Sequence, residues 1–386
     1  MYENLCPGEE MKAVPCIFIA LCLLICISAT AHAKGTVKIG LITPLTGSLK
    51  TLGESVKNGF NIAVGEYGRK GKYNIQVVMA DDGNDPAEGV NAAMTLIQRE
   101  NVAAIVGPLT SRVAIPVSEK ASQYKVPMIT GSATDPRVTV SGGKRKPYIF
   151  RTCYTDPFQG LLAANFALQE LKAKTAAVLY DSGSDYSREM GESFRAAFTK
   201  GNGAIVAFEA YRKDTVDFSA MIAQAALRNP QVIFLPDYYD KVAVIARQIT
   251  RKGIKPILLG ADGWDSPDLL AWGGNSVVGG YFVNHYSPDR TDEAAESFIR
   301  MYKANYGVVP DVFAALAYDA TAILLKAIGA ARKPQREDIR KALEATKNYR
   351  GATGVITFDA NRDAIKPGVI MRVERKGFTY IMPVNP

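Results

Sequence analysis

The sequence predicts an α/β protein built on parallel β-sheets, because short apolar runs alternate with helix-like segments from residue 38 onward. Strands buried in parallel sheets are continuous apolar runs. Five such runs occur, at 103–107, 126–130, 176–180, 232–236 and 256–260. Each run ends at a cluster of hydroxyl, glycine or acidic residues, and each cluster is expected to lead into a helix. Open α/β sheets bind ligands beyond the carboxyl ends of their strands. The clusters are therefore the predicted site of a small polar ligand.

Capping patterns predict where the helices begin. Asp85 followed by Pro86 is typical of an N-cap and first turn, and a buried stripe follows at Val90, Ala93, Met94 and Ile97. Asp217, ahead of Phe218, Met221, Ile222 and Ala225, predicts a matching helix in the second half. Two halves of similar design predict two lobes. The first is expected to end near residues 151–154, where Thr155-Asp156-Pro157 begins another helix.

The segment 11–33 has the composition of a secretory signal peptide. It carries one lysine, a long apolar stretch and the ending Ala-His-Ala, which predicts cleavage after Ala33. An uncleaved membrane anchor is the alternative, because the stretch approaches spanning length. Met11 is an alternative to Met1 as the start of the protein, because the first ten residues are acidic, which is unusual at the beginning of a signal peptide. A lipoprotein signal needs a small residue just before its cysteine. Ile25 precedes Cys26, so lipidation is not expected.

Cysteine and charge patterns narrow the class of protein. Four of the five cysteines lie in the leader, so Cys153 has no disulfide partner and the exported chain depends on its core. The net charge is +8, but Lys and Arg are dispersed. Their one cluster, 142–146, is predicted to be a solvated loop, and no nucleic-acid partner is expected. No metal site is expected without a His/Cys cluster, and no membrane span is expected beyond the leader.

An α-amino acid zwitterion needs donors for its carboxylate and a counter-charge for its ammonium. Ser111 lies where a helix is predicted to begin near Arg112, and helix N-termini favour anions. The loop after residue 130 adds Ser132, the backbone of Ala133, and Thr134. An ordinary N-cap at Ser111 and a simple turn in the loop are the alternatives.

The counter-charge is predicted to be Asp262, a carboxylate just after the run 256–260. The alternative is an N-cap for the segment beginning at Ser266, a role that suits Asp265 equally well.

Ten motifs, in order from Val37 to the C-terminus, resemble those of periplasmic branched-chain amino-acid-binding proteins of ABC transporters: VKIGLITPLTG, DDGNDP, VGPLTS, ITGSATDP, FRTCYTDPFQG, DFSAMI, LPDYYDKVAVIARQ, LLGADGW, AYDA and TGVITFD. The resemblance implies a type I periplasmic binding protein. Its two doubly wound parallel-sheet lobes would be joined by three hinge crossings near residues 154, 284 and 367. Lobe one would comprise 34–154 and 285–367, and lobe two 155–284 and 368–386.

The resemblance also implies roles for individual residues. Ser111, Ala133 and Thr134 match positions that hold the ligand carboxylate, and the Thr134 side chain also matches a contact of the ammonium. Asp262 matches an ammonium-binding acid that is usually Glu. The shorter Asp implies a ligand closer to lobe two or a bridging water.

The remaining matched positions line the ligand wall. Tyr186 and Tyr238 match aromatic residues of lobe two, with Tyr239 as the alternative to Tyr238. Leu52 replaces a large aromatic residue and leaves more room for the ligand side chain. Asp156 matches an acid near the ammonium, although an N-cap before Pro157 explains it equally well.

The function predicted is that of a non-enzymatic periplasmic monomer, without a cofactor. It would carry an aliphatic or branched-chain amino acid to an inner-membrane ABC permease. The alternatives are a sensor or a carrier of an amide, urea or aromatic acid, and an exported α/β hydrolase or oxidoreductase. The chain lacks the G-x-S-x-G and H-E-x-x-H motifs of such enzymes. His285, the one histidine after the leader, is interpreted as structural.

Overall fold

The computed structural model of the protein describes residues 34–384. The predicted signal peptide, its cleavage after Ala33 and both possible start residues lie outside the described residues.

The first half of the chain forms a five-stranded sheet in the order β2-β1-β3-β4-β7, and all neighbouring strands are parallel. Its strands are β1 (Thr36–Thr43), β2 (Asn74–Asp81), β3 (Ala104–Val106), β4 (Met128–Thr130) and β7 (Ile149–Arg151). The helices between them are α1 (Lys50–Lys70), α2 (Pro86–Met94) and α3 (Ser111–Gln123), and a one-turn π-helix (Thr95–Arg99) follows α2. A small hairpin, β5 (Val140–Ser141) and β6 (Lys144–Arg145), precedes β7.

The second sheet has seven strands in the order β17-β16-β12-β11-β10-β8-β9. Five are parallel: β8 (Thr175–Asp181), β9 (Ala204–Tyr211), β10 (Val232–Phe234), β11 (Ile257–Gly260) and β12 (Tyr281–Asn284). β16 (Gly368–Glu374) and β17 (Gly377–Val384) extend it as an antiparallel edge. The helices are α4 (Asp156–Gln169), α5 (Asp185–Lys200), α6 (Ser219–Ala226), α7 (Tyr239–Arg251) and α8 (Pro267–Gly273).

The parallel parts of the two sheets are wound alike, since β9-β8-β10-β11-β12 repeats the order β2-β1-β3-β4-β7. The predicted fold class is confirmed. The remaining elements are α9 (Glu293–Tyr306), α10 (Val312–Ala330), α11 (Arg336–Glu344) and the antiparallel strands β13 (Tyr349–Gly351), β14 (Gly354–Phe358) and β15 (Ala364–Ile365). The chain passes between the sheets after β7, after β12 and before β16. The exact lobe boundaries remain a prediction.

Apolar side chains cover both faces of each sheet. On the first sheet, Val113 and Val117 of α3 pack in one cluster with Ile105, and α1 and α10 supply the opposite face. On the second, Leu162 of α4 and Phe194 of α5 form one layer, and α6 and α7 belong to the other. Because both faces of each sheet are covered by helices, successive strand residues are all buried, which explains the continuous apolar runs in the sequence.

One expectation about the segment after β4 is wrong, and the predicted solvated loop 142–146 is exposed from 142 to 145 but not at Lys146. The run 126–130 leads into a single 3₁₀ turn, Pro136–Val138, and the β5–β6 hairpin rather than an α-helix. Lys146 is not solvated, because its ammonium donates to the Ser118 hydroxyl and the Arg137 carbonyl and pairs with Glu119. The hairpin turns at Gly142 and Gly143, both at positive φ, and this reversal carries Lys146 back against α3.

Among the described residues, one helix, α10, is long and apolar enough to cross a membrane by length and composition. The sequence expectation of no such segment is therefore wrong as stated. Most of α10 is buried in the protein, where it packs along α1. Its buried Asp319 accepts hydrogen bonds from the N–H groups of Ala352 and Thr353, at 2.7 and 2.8 Å. In this structure α10 is the central core helix of its layer.

Close contact between α1 and α10 requires a glycine at Gly59. A Cβ added there would lie 2.0 Å from the Ala314 carbonyl oxygen, whereas one added at Gly65 would meet nothing within 4 Å. We expect Gly59→Ala to lower the free energy of unfolding by about 1–3 kcal/mol through overpacking. Gly65→Ala, on the exposed face of the same helix, should raise it by about 0.5–1 kcal/mol. Urea unfolding of both variants measures the difference, and equal effects would contradict the packing argument.

Candidate ligand-binding site

The predicted site residues follow parallel strands of both sheets. Tyr186 lies in the first turn of α5 after β8, Tyr238 immediately precedes α7 after β10, and Asp262 follows β11. From the first sheet, Ser111 begins α3 after β3, and Thr134 lies in the loop after β4. Because parallel strands end at the same edge, each group lies at one edge of its own sheet.

Asp262 is a buried carboxylate held by neutral donors. Its Oδ1 accepts hydrogen bonds from the Gln159 amide at 2.9 Å and from the Tyr186 hydroxyl at 2.8 Å. The N-cap interpretation is wrong, because Ser266 caps α8 with its own hydroxyl. No Lys or Arg of the described residues forms an ion pair with Asp262, so the carboxylate has no cation in direct contact there.

Asp265 does not cap α8 either. Its Oδ2 accepts from the Asn284 amide at 2.8 Å and from the Val312 N–H at 2.9 Å. It therefore ties the end of β12 to the start of α10.

His285 lies against Asp262, with Nε2 at 3.3 Å from Oδ2, and its ring stacks on Tyr154 at a centroid distance of 3.6 Å. Burial lowers the pKa of His285 to about 4, although the nearby Asp262 opposes this shift. The imidazole is therefore neutral at pH 7 and does not balance the carboxylate. The sequence analysis missed the proximity of His285, and of Gln159, to Asp262, because His285 lies outside the matched motifs and Gln159, although it is part of FRTCYTDPFQG, was assigned no role.

Asp156 supplies a second carboxyl group without a counter-charge. It is fully buried, and neither side-chain oxygen has a hydrogen bond of normal geometry. Burial raises its pKa well above the usual value, and the adjacent Thr134 hydroxyl lowers it only in part. The N-cap alternative is wrong, because Thr155 occupies the N-cap position and the Asp156 carboxylate accepts no helix N–H.

Ser111 and Thr134 provide open hydrogen-bond donors. The Ser111 oxygen accepts from the Asp135 N–H at 3.1 Å, which leaves its proton available, and the buried Thr134 hydroxyl, beside Asp156, makes no hydrogen bond of normal geometry. The N–H groups of both residues also lack partners within residues 34–384. Thr110 holds the N-cap position of α3, so the N-cap alternative for Ser111 is wrong. Together these donors suit an anionic group.

The two other residues of the loop use their polar groups internally. The Ser132 hydroxyl donates to the Leu109 carbonyl at 2.9 Å, and the Ala133 N–H lies 3.2 Å from the Thr130 hydroxyl oxygen. Contacts of Ser132 and Ala133 with a ligand remain predictions.

Tyr238 is half-buried and stacks on Tyr186 with ring centroids 5.0 Å apart. Tyr239 has a different role, since its hydroxyl donates to the Ser48 carbonyl at 2.9 Å and so bridges the two halves. Leu52 belongs to the first turn of α1, and its side chain is fully buried in the core. A ligand contact by Leu52 therefore also remains a prediction.

Arg151 holds the loop that contains Thr134 in place, a role that no sequence pattern indicated. The fully buried guanidinium donates to the Ala133 and Asp135 carbonyls, at 3.0 and 2.9 Å, on either side of Thr134. It also pairs with Asp363 at 2.5 Å. Arg151 thus fixes the backbone that presents the Thr134 donors.

Contacts between the halves close the structure over these residues. Arg137 pairs with Asp185 at 2.6 Å, and the Thr51 hydroxyl donates to Asp268 at 2.7 Å. No group of three His, Cys, Asp or Glu side chains suitable for a metal ion occurs in residues 34–384.

Comparison with known proteins shows a family match for most of the chain. The profile of the family described as "Periplasmic binding protein" matches residues 36–378. The chain is 30% identical over 348 residues to Leu/Ile/Val-binding protein homolog 3 of Brucella melitensis, covering 88% of this chain and 92% of that protein.

Solved structures of similar proteins have the same fold as this chain. The leucine binding protein LivK of Thermotoga maritima superposes with a TM-score of 0.86 at 35% identity, covering 91% of this chain and 99% of that one. The substrate binding protein LivJ of Streptococcus pneumoniae, in complex with isoleucine, gives a TM-score of 0.83 at 29% identity, covering 90% and 99%.

Replacing Arg151 tests its anchoring role. Arg151→Met leaves the Asp363 carboxylate without its buried partner and should lower the free energy of unfolding by about 3–5 kcal/mol. The matched control is Arg300→Met, which removes an exposed ion pair with Glu296 and should cost less than about 1 kcal/mol. The double variant Arg151→Met/Asp363→Leu should recover part of the loss. Denaturant unfolding would contradict the anchoring role if both single variants were equally stable.

Proposed function

The chain belongs to the periplasmic binding protein family, and from this premise we propose that it binds a free α-amino acid between its two sheets and delivers it to an inner-membrane ABC permease. The names of its relatives support an amino-acid ligand, since they describe leucine, isoleucine and valine binding. We propose also that the protein is exported to the periplasm and acts there as a monomer. Residues 34–154 with 285–367, and 155–284 with 368–386, are its proposed lobes.

One observation carries the proposal: uncompensated carboxyl groups and open donors occur together among the residues of the candidate site. Asp262 and Asp156 are buried acids without a cation, whereas Ser111 and Thr134 offer unpaired donors. Burying a charge without a partner is costly. A zwitterionic amino acid supplies both missing partners, its ammonium for the acids and its carboxylate for the donors.

We further propose that binding involves no turnover. A nucleophilic enzyme needs a base beside its nucleophile. His285 instead lies between Asp262 and the ring of Tyr154, and the buried Cys153 has its pKa raised to about 12 by burial. Neither arrangement supports nucleophilic catalysis.

Removing the counter-charge tests the ligand class. Asp262→Ala should weaken amino-acid binding by about 30-fold to several thousand-fold, because truncating one member of a buried charged pair costs about 2–5 kcal/mol. Calorimetric titration with leucine, isoleucine and valine measures the loss.

Asp265 is unsuitable as the control, because it bonds the start of α10. The matched control is Asp217→Ala, an exposed residue that accepts from the Ser219 N–H, and this change should leave the affinity unaltered. Binding by Asp262→Ala within a few-fold of the parent protein would refute the ammonium assignment.

The proposed mechanism also requires the halves to open and close. Ligand should favour the closed state, in which Arg137 and Asp185 pair across the halves. Small-angle scattering should therefore show a smaller radius of gyration with saturating amino acid than without it. An unchanged radius would count against closure on the ligand.

A further inference from the structure

Arg137 connects the two groups of site residues across the halves of the chain. It lies in the 3₁₀ turn after β4, three residues beyond Thr134. Its Nη2 atom donates to the Asp185 carboxylate at 2.6 Å, and Asp185 begins α5 immediately before Tyr186. Tyr186 in turn donates to Asp262. The ion pair therefore joins the loop that carries the proposed carboxylate donors to the helix that carries a hydrogen-bond partner of Asp262.

The Arg137 guanidinium is fixed on its own half by contacts that do not involve Asp185. Nε and Nη2 donate to the two oxygens of Asp135, at 3.0 and 2.7 Å, and the Arg137 N–H donates to the same carboxylate at 2.7 Å. Asp135 is fully buried, and its N–H donates to the Ser111 hydroxyl oxygen. Bidentate pairing holds the planar guanidinium in one orientation. The second N–H of Nη2 is thereby directed at the other half of the chain.

Asp185 is fixed on the second half in a similar way. Arg188, one turn later in α5, donates to its Oδ1 at 2.7 Å. Burial acts to raise the pKa of Asp185, but hydrogen bonds from Arg137 and Arg188 lower it below its ordinary value, so the carboxylate is ionised at neutral pH. Exposed ion pairs contribute little partly because both flexible side chains must be ordered. Here each partner is already ordered by its own half, so the pair forms at a smaller entropic cost.

Resting on the proposed function, we propose that the Arg137–Asp185 ion pair is a latch that holds the two halves closed on a bound amino acid and sets its rate of release. Arg137 is a positioning residue in this role, because it acts through the closure of the halves. A contact that forms only in the closed state favours that state over the open one. Its loss therefore appears in the dissociation rate. A zwitterionic amino acid carries no net charge, so its association rate should change little when one charge of the protein is removed.

A double-mutant cycle on the release rate tests the latch. The parent, Arg137→Met, Asp185→Ala and the double variant are loaded with radiolabelled leucine, isoleucine or valine, whichever the parent binds most tightly, and chased with the unlabelled amino acid. We expect each single variant to release the ligand about three- to tenfold faster than the parent. The double variant should release it no faster than Arg137→Met, because the two side chains act as one pair. Association rates should stay within about twofold of the parent.

Arg137→Met also leaves the buried Asp135 without its partner, so a second variant isolates the contact between the halves. Asp185→Asn keeps the shape of the side chain and the Arg137–Asp135 pair but removes the charge that faces Arg137. It should also release the ligand faster. The matched control is the same cycle on Glu192 and Arg195, a similarly exposed ion pair that lies within α5. Glu192→Ala and Arg195→Met should leave the release rate unchanged.

The outcomes separate the latch from the function on which it rests. Additive effects of Arg137→Met and Asp185→Ala, or an unchanged release rate in Asp185→Asn, would overturn the latch and leave amino-acid binding intact. Slower association with unchanged release would also overturn it. If the parent protein bound none of the three amino acids, the proposed function would fail, and the latch with it.

Discussion

The site depends on one electrostatic constraint: the Asp262 carboxylate is buried at the end of β11 and receives only neutral hydrogen bonds. The Gln159 amide and the Tyr186 hydroxyl solvate it, and His285 is neutral beside it. Neutral donors lower the cost of burial without cancelling the charge. A buried carboxylate that receives only neutral hydrogen bonds favours a cationic group carried by a ligand. The positions of α4 and α5 matter because they bring those two donors to the same oxygen.

Arg151 shows the opposite treatment of a buried charge. It is fully compensated, by Asp363 and by two carbonyl groups of the donor loop. Paired charges fix geometry, whereas the unpaired acids Asp262 and Asp156 leave interactions for a ligand. The two kinds of buried charge also differ in position, since Arg151 ends β7, whereas Asp156 begins α4 and Asp262 follows β11.

Prediction from sequence succeeded where the signal is local. The parallel strands followed from continuous apolar runs, and the helix start at Asp85 from its capping pattern, which the structure confirms with two N–H groups bonded to that side chain. It failed where the interaction is long-range. Gln159 is 103 residues from Asp262 along the chain, and Arg151 is 212 residues from Asp363. Neither pairing leaves a pattern in one sequence. Lys146 was misjudged for the same reason, because its partner Ser118 lies on a different element.

The apolar composition of α10 bears on the proposed export of the protein from the cytoplasm. A translocon samples each apolar segment for release into lipid, and nineteen residues of this composition meet the length requirement. Asp319 lies near the middle of that segment, where an aspartate opposes insertion by about 2.5–3.5 kcal/mol. The same carboxylate later anchors Ala352 and Thr353 in the folded protein. On the proposed export route this acidic residue would oppose release of the unfolded helix into lipid, and in the folded protein it anchors α10 to the turn between β13 and β14.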